Sequence, residues 1–257
     1  MMSMKNRLNY GFPFSYIFLR LLVVLAMLLF VIGLIVIDVS IYAILIFCIC
    51  FIPIYIYFDV IQFKKKFLEN RKKLLEKIIE FADIKGDERV LDLGTGSGFL
   101  AIGFAKHLKN GKSYGLDRYS LKSSSFTKQI ISIIKINFIG ISIKNAKINA
   151  QIEKVENKCE FIETDLTKPF DFPKVFFDVI VSCQFFYCLT GKDRLNVLRE
   201  IDRVLKQNGR IIFFESSSFM GWDILEVKGF FEKIGYKLEV IPSDDFNKCC
   251  ILYGKKT

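Results

Sequence analysis

Residues 90–100 decide the fold, and they read Val-Leu-Asp-Leu-Gly-Thr-Gly-Ser-Gly-Phe-Leu. The stretch Arg89–Leu93 is short, apolar and able to form a strand, whereas Phe99–Leu108 carries apolar residues at helical spacing. The glycines between them let the backbone turn tightly and approach a ligand closely. Such a strand, turn and helix predict a ligand over a helix N-terminus, at the carboxyl edge of a parallel sheet.

The spacing of the glycines indicates the kind of ligand. Dinucleotide-binding turns follow G-x-G-x-x-G, but Phe99 stands where the third glycine of that pattern belongs. The pattern here is Asp-x-Gly-x-Gly-x-Gly, from Asp92 to Gly98. An acid directly before the turn repels a pyrophosphate and suits an amino group and a sulfonium. The stretch resembles the first motif of class I S-adenosylmethionine (SAM)-dependent methyltransferases; another nucleotide-binding α/β turn is the alternative.

The composition allows one domain of good size and a further apolar segment. The chain has 257 residues, of which 52% are hydrophobic, and the excess of apolar residues lies before Lys64. The part before Lys64 is near neutral, so the surplus in the net charge of +10 lies downstream, where it suits nucleic acid or an anionic membrane surface. None of the seven cysteines forms C-x-x-C, which predicts a reduced compartment and no metal site.

Residues 1–63 predict a membrane anchor. Two almost wholly apolar runs, at about 16–37 and 39–58, are each long enough to cross a bilayer as a helix. Lys5 and Arg7 precede the pair and three lysines follow it at 64–66, so both flanks are predicted to be cytoplasmic. A signal peptide and a buried hairpin in a soluble protein are the alternatives. The expected location is a membrane, with two helices in the lipid bilayer and a cytoplasmic catalytic domain.

The rest of the chain divides into a connector and a domain. Residues 64–86 predict an amphipathic connector helix, and residues 87–257 predict the catalytic domain. Within that domain, Arg118–Ile148 contains an apolar stretch too short to span a bilayer. It is either a helix packed on the sheet or an element that lies on the membrane.

Strands and helices alternate after the glycine turn. Asp117 ends the second predicted strand about twenty residues past the glycines, where related folds place the carboxylate that binds ribose. Further strands are predicted at Cys159–Asp165, Phe177–Ser182 and Arg210–Glu215, and an antiparallel pair closes the chain at 237–241 and 249–253. The predicted fold is α/β: a Rossmann-like, seven-stranded, mostly parallel sheet with a C-terminal antiparallel hairpin, preceded by two transmembrane helices.

The resemblance to class I methyltransferases covers Leu74–Gly254 and implies SAM as the cofactor. It assigns Asp165 to the adenine amino group. The turn Arg203–Gly209 resembles the branch that methylates small molecules and lipids, although Gln207-Asn208-Gly209 replaces the usual Pro-Gly-Gly. The implied cofactor-binding residues are Asp92, Gly94, Thr95, Gly96, Gly98, Asp117, Arg118, Thr164, Asp165, Leu166 and Ser182.

Methyl transfer to an amine or a thiolate needs little proton chemistry, since proximity and exclusion of water supply much of the rate. If a base is required, Tyr187 and Glu215 are the candidate catalytic residues because of their strand-end positions. The single histidine, His107, is expected at the surface. Cys183 is expected to be a packing residue, and the aromatic residues 185–187 are expected to line an acceptor pocket.

The acceptor is predicted to be a lipid or another hydrophobic small molecule. Ser182–Phe185 lacks both prolines of the Asn/Asp-Pro-Pro-Tyr/Phe motif that amino-methylating nucleic-acid enzymes carry, and it lacks the Pro-Cys of cytosine-C5 enzymes. Nucleic acid is therefore not the expected partner. The sequence predicts a membrane-anchored SAM-dependent methyltransferase; the alternatives are a methyltransferase of a membrane-proximal protein or nucleic acid, and a non-catalytic SAM-binding membrane module.

Overall fold

The computed structural model describes residues 65–119, 141–216, 218–219, 222–243, 246 and 248–257, together with Val24, Leu25 and Leu28. The membrane helices predicted at 16–37 and 39–58 lie outside this part of the chain, apart from those three residues. Within the described residues, no helix has the length and apolarity that a membrane span requires. The apolar stretch at 130–141 also falls outside, except for Ile141.

The core of the molecule is a mixed sheet of seven strands in the order β3-β2-β1-β4-β5-β9-β8. The strands are β1 (Arg89–Leu93), β2 (Lys112–Asp117), β3 (Cys159–Glu163), β4 (Phe177–Cys183), β5 (Leu205–Ser216), β8 (Tyr236–Pro242) and β9 (Cys249–Lys256). A separate antiparallel pair is formed by β6 (Ser218–Phe219) and β7 (Trp222–Asp223). The first five strands pair in parallel, and β9 runs antiparallel to β5 and β8. The predicted sheet with its antiparallel C-terminal strands is confirmed.

Helices cover both faces of this sheet. They are α1 (residues 65–82), α2 (Phe99–Ala105), α3 (Ile143–Ile152), α4 (Gly191–Val204) and α5 (Ile224–Lys233). Successive residues of β5 point to opposite faces, as the strand period of two requires: Phe213 joins the cluster under α4 and α5, and Phe214 joins the one under α1 and α2. Burial on both faces explains why the strand sequences are continuously apolar.

The amphipathic helix predicted over 64–86 is observed as α1. Leu74, Ile78 and Ala82 follow one another at helical spacing, and all three are buried against the sheet. Burying them contributes roughly 1.5–3 kcal/mol for each of the two larger side chains. The helix therefore belongs to the same core as the strands and lies close to the end of β1.

The start of β5 differs from the prediction. The strand begins at Leu205, five residues before Arg210, and its pairing with β4 is interrupted between Phe177 and Val179. Asn208, with φ of 62°, lies in this interruption. The Asn-Gly turn expected at this position is thus a bulge inside a strand, because pairing with β4 resumes beyond it.

Candidate functional site

The glycine turn after β1 is held by backbone hydrogen bonds to the next strand. The amides of Gly94 and Thr95 both donate to the carbonyl of Leu116, at 2.9 and 3.0 Å. Gly96 adopts φ of 55°, and a Cβ there would meet no atom nearer than 4.0 Å. A Cβ on Gly98 would lie 2.8 Å from Cδ1 of Ile102. Gly96 therefore leaves open space for a ligand, whereas Gly98 allows the helix to pack.

Asp92 lies beneath this turn and holds it together. Its Oδ2 accepts hydrogen bonds from Oγ1 of Thr95 at 2.7 Å and from the amide of Ala101 at 3.0 Å. The residue is only 2% exposed, and burial raises the pKa of its carboxyl to about 7, against the hydrogen bonds that lower it. The acid of the motif thus joins the strand, the turn and the first turn of α2.

Two further acids lie at the carboxyl ends of strands, Asp117 as the last residue of β2 and Asp165 two residues after β3. Oδ2 of Asp117 accepts from the amide of Gly96 at 2.7 Å, which joins the ends of β1 and β2. Oδ1 of Asp165 accepts from the hydroxyl of Thr167 at 2.8 Å, and Oδ2 lies 3.7 Å from Nη1 of Arg118. Burial raises the pKa of Asp165, but Thr167 and the Arg118 charge outweigh it and hold that pKa below its usual value.

These residues surround one cavity of about 840 Å³ at the carboxyl edge of the sheet. A cavity of that size lies within the usual range for small-molecule and cofactor sites. The predicted site residues that line it are Asp92, Gly94, Thr95, Gly96, Asp117, Arg118, Asp165, Leu166 and Tyr187. The predicted site residues that do not line it are Gly98, Thr164, Ser182 and Glu215. The polar groups that converge here make the cavity the candidate cofactor site.

The predicted residues outside the cavity have other partners. The amide of Thr164 donates to the carbonyl of Asp117 at 3.0 Å, and the hydroxyl of Ser182 donates to Oε1 of Glu215 at 3.3 Å. Glu215, expected as a candidate base, is fully buried, so the structure does not bring its carboxylate to a substrate. The sequence located the strand end correctly but did not reveal that this side chain points into the core.

Glu215 instead holds the loop that follows β4. Its Oε1 also accepts from the amides of Phe185 at 2.7 Å and Phe186 at 3.3 Å. Oε2 is buried and has no hydrogen-bond partner within the described residues. Burial raises the pKa of this carboxyl to about 7, opposed by those three donors. The loop is bent sharply at Gln184, whose φ is 57°, and Glu215 supports that bend from below.

Side chains of this loop form the far wall of the cavity. The residues that line it are Phe185, Tyr187, Cys188 and Leu189. The sequence analysis predicted an acceptor pocket lined by residues 185–187, and two of these three line the cavity. Phe186 is the exception, because it is fully buried in the core. Burial raises the pKa of the Tyr187 hydroxyl well above its ordinary range. Tyr187 therefore keeps its proton at neutral pH.

Cys183 was expected to be a packing residue and His107 a surface residue. Cys183 lies at the end of β4, and burial raises the pKa of its thiol to about 12, so it stays protonated at neutral pH. His107 is exposed, its Nδ1 lies 3.0 Å from the carbonyl oxygen of Gly103, and it does not line the cavity. Cys183 therefore lines the cavity as a neutral thiol, whereas His107 lies away from the cavity.

The sequence analysis missed the contribution of α1 to the cavity. Phe67, Arg71 and Leu74 line it at spacings of four and three residues, which places them on one face of the helix. An arginine on an otherwise apolar helix face was the available signal. Phe246 and Cys249, from the β8–β9 connection and the start of β9, also line the cavity. No local pattern marks them, since they reach the site through the antiparallel return of the chain.

The sheet order, the glycine turn and the strand-end acids around one cavity define a Rossmann-like methyltransferase fold. Residues 84–229, more than half of the chain, match the family model described as a methyltransferase domain, and the chain belongs to that family. The enzyme is a SAM-dependent methyltransferase, and SAM is its cofactor.

Solved structures share the fold at low sequence identity. A SAM-dependent methyltransferase from Aquifex aeolicus is 19% identical with a TM-score of 0.53, covering 71% of this chain and 89% of that one. The YcgJ protein from Bacillus subtilis is 18% identical with a TM-score of 0.50, covering 71% and 97%. The cyclase SpnF is 16% identical with a TM-score of 0.54, covering 72% and 80%. A cyclase among them means that the fold alone does not determine the reaction.

Proposed function

We propose that this enzyme transfers the methyl group of SAM to a lipid or another hydrophobic small molecule at a membrane surface. The observation that carries the proposal is the apolar wall of the cavity beside β4 and β5. Phe185, Leu189, Phe214 and Phe246 all line the cavity there. A concave, largely apolar wall with few polar groups suits an apolar acceptor better than a charged one.

The other half of the cavity is proposed to hold the cofactor. Asp117 would accept hydrogen bonds from the ribose hydroxyls, and Asp165 would accept one from the adenine amino group. The open space over Gly96 supports this placement, because the ligand can approach the backbone closely there. Arg118 and Leu166 line the same half of the cavity, beside Asp165, and would flank the adenosine.

When bound, SAM supplies an electrophilic methyl group on a sulfonium. The chain's own task is to orient the acceptor and to exclude water, which Phe185 and the neighbouring wall do. Tyr187 would donate a hydrogen bond to the acceptor, since its hydroxyl keeps its proton. Asp193 lines the cavity, with its Oδ2 accepting from Oγ1 of Thr190 at 2.8 Å. For an acceptor that must lose a proton, Asp193 replaces Glu215 as the proposed base.

The membrane part of the proposal rests on the two apolar runs before Lys64. Two structural features support it. Helix α1 follows those runs and reaches the cavity through Phe67, and Leu68, next in the chain, is 44% exposed. The cavity would thus open toward the membrane, so that an acceptor in the bilayer can enter it. The domain would lie on the cytoplasmic side of that membrane.

A labelling experiment on membranes tests this function. Membranes that contain the full chain are incubated with SAM carrying a labelled methyl group, and the lipid, protein and nucleic-acid fractions are separated. We expect the label in the lipid fraction. Asp117→Ala is the control for cofactor-dependent transfer, and it should lower the labelling at limiting SAM.

A second variant separates the anchor from the chemistry. A chain without residues 1–63 should bind SAM with unchanged affinity and label membrane lipids poorly. Label found only in protein or nucleic acid would reject the lipid acceptor and support the corresponding alternative substrate. Equal labelling of lipids by the shortened chain would reject the role of the anchor in delivering the acceptor.

A further inference from the structure

Arg71 on α1 is a cation in the wall of the cofactor cavity. Its guanidinium carbon lies 3.9 Å from the centroid of the Phe99 ring, a stacked position that fixes the plane of the group. The side chain is half-buried, and the helix that carries it is anchored by buried Leu74 and Ile78. Arg71 is therefore a positioned charge rather than a mobile surface side chain.

Along the sheet edge, Arg71 lies away from Asp165, the residue proposed to bind the adenine amino group. The acids lie along the sheet edge in the order of the strands. Asp165 follows β3, Asp117 ends β2 and Asp92 is on β1. The next strand is β4, which ends at Cys183. Burial raises the pKa of both Asp92 and Cys183, and the positive charge of Arg71 counteracts that rise in each. Phe99, on which Arg71 stacks, packs against the same buried cluster as Cys183 of β4. Arg71 therefore lies toward the β1–β4 boundary, two and a half strand spacings, or roughly 12 Å, from β3.

A cation beside an anion is what a zwitterionic amino acid requires. Carboxylate and ammonium sit on one carbon in such a group, so its site needs a positive and a negative side chain close together. Arg71 supplies a guanidinium and Asp92 a carboxyl, and both line the cavity. The other arginine of the cavity, Arg118, is paired with Asp165 at 3.7 Å, at the far end of the row.

We propose that Arg71 binds the carboxylate of the cofactor's amino-acid end, so that α1 supplies part of the SAM site. The planar guanidinium can bind both carboxylate oxygens at once. Asp92 would face the ammonium, whose positive charge favours the ionised form of that carboxyl over the protonated form. The inference rests on SAM as the cofactor and not on the proposed acceptor. It makes the helix that follows the N-terminal apolar segment a part of cofactor binding.

The test compares two ligands that differ in this one group. SAM and decarboxylated SAM share the adenosine, the sulfonium and the ammonium, and only SAM has the carboxylate. Calorimetric titration of the full chain gives the affinity for each, without acceptor and without turnover. Arg71→Gln should weaken SAM binding about 10- to 100-fold, the size of a charged hydrogen bond lost, and should not weaken binding of decarboxylated SAM. Arg71→Lys, which keeps the charge without the planar fork, should give an intermediate loss for SAM alone.

Two matched variants sharpen the comparison. Arg118→Gln removes the cation at the adenosine end and should change the affinities for both ligands by the same factor. Arg89→Gln removes an exposed arginine that also stacks on a phenylalanine, 4.4 Å from the Phe176 centroid, but does not line the cavity. It should change neither affinity.

Two results would overturn the proposal. Equal losses for SAM and decarboxylated SAM in Arg71→Gln would mean that Arg71 only shapes the cavity. No loss for either ligand would mean that the guanidinium serves another group, such as a carboxylate on the acceptor. If Arg71→Gln does not fold, as judged by circular dichroism, the ratio of the two affinities in Arg71→Lys decides in the same way.

Discussion

Two loops meet at the carboxyl edge of the sheet, and each is held by one buried carboxylate. In the turn after β1, Asp92 accepts from Thr95 and Ala101, which lie 3 and 9 residues further along the chain. In the loop after β4, Glu215 accepts from Ser182, Phe185 and Phe186, which lie 33, 30 and 29 residues before it. A buried carboxylate thus holds a loop once through residues close in sequence and once through residues far apart in sequence.

The two loops belong to the two halves of the cavity, which are proposed to bind different ligands. The turn after β1 belongs to the proposed cofactor half, where the ligand is always SAM. The loop after β4 belongs to the proposed acceptor half, where the shape of the wall determines what binds. Burial raises the pKa of both carboxyls to about 7, so the comparison can be tested by pH as well as by substitution.

The largest expected effect is on stability between pH 5 and pH 7.5. The ordinary pKa values, 3.8 for Asp92 and 4.5 for Glu215, apply in the unfolded chain. In this window the unfolded chain has released both protons while the folded protein retains them up to about pH 7. The folded state therefore loses stability as the pH rises, by up to about 1.4 kcal/mol per pH unit for each group. Urea midpoints of the full chain at several pH values measure this fall.

Two variants with a neutral amide in place of the carboxyl measure how much of this loss of stability each loop contributes. Asp92→Asn and Glu215→Gln should each flatten the pH dependence between 5 and 7, because each removes one titrating group. A wild-type protein that becomes more stable from pH 5 to pH 7, with unchanged slopes in both variants, would show that both carboxylates are ionised in the folded state.

The next largest expected effect is on SAM affinity, which should depend on the proposed cofactor half of the cavity and not on the proposed acceptor half. Asp117→Ala should weaken SAM binding by about 1–3 kcal/mol, because the ribose hydroxyls lose a charged acceptor and Gly96 loses its hydrogen bond. Asp193→Ala, on the proposed acceptor side, should leave the SAM affinity unchanged. Calorimetry on both variants is the measurement. A folded Asp117→Ala protein with unaltered SAM affinity would remove Asp117 from the cofactor site.

A smaller effect distinguishes the glycines of the first loop. Gly96→Ala and Gly98→Ala both place a side chain at positive φ, which costs about 1–2 kcal/mol. At Gly98 the new methyl group also meets Ile102 and Phe161 at 2.8 and 3.0 Å, so its unfolding midpoint should fall further. Gly96→Ala should lose more SAM affinity, because its methyl group enters the cavity. The opposite ranking in either measurement would reverse the assignment of the two glycines.

The smallest expected effect concerns His107. Its ring is exposed and contacts only the carbonyl of Gly103 among the hydrogen-bond partners within the described residues, so His107→Ala should change stability by no more than about 0.5 kcal/mol. The rate of methyl transfer by this variant should equal that of the unsubstituted chain. A large drop in kcat with unchanged SAM affinity would restore His107 as a candidate base.

Prediction from the sequence was strongest where the contacts are local. The glycine turn and the alternation of strands and helices are visible because neighbouring residues form the structure. The prediction was weaker where a side chain could point to either face of its strand. Glu215 and Ser182 were placed at the correct strand ends, but the direction of their side chains depends on register with β4 and β9.

The sequence by itself determined the seven-stranded fold, the glycine turn after β1 and the acids at the ends of β2 and β3. Each depends on hydrophobic periodicity or on residues a few positions apart, which a linear pattern contains. Only the tertiary structure decided that Glu215 supports a loop from inside the core, and that α1 brings Arg71 to the cavity beside Asp92. Those arrangements join residues separated by 30 and 21 positions, and packing on the sheet, not local propensity, brings them together.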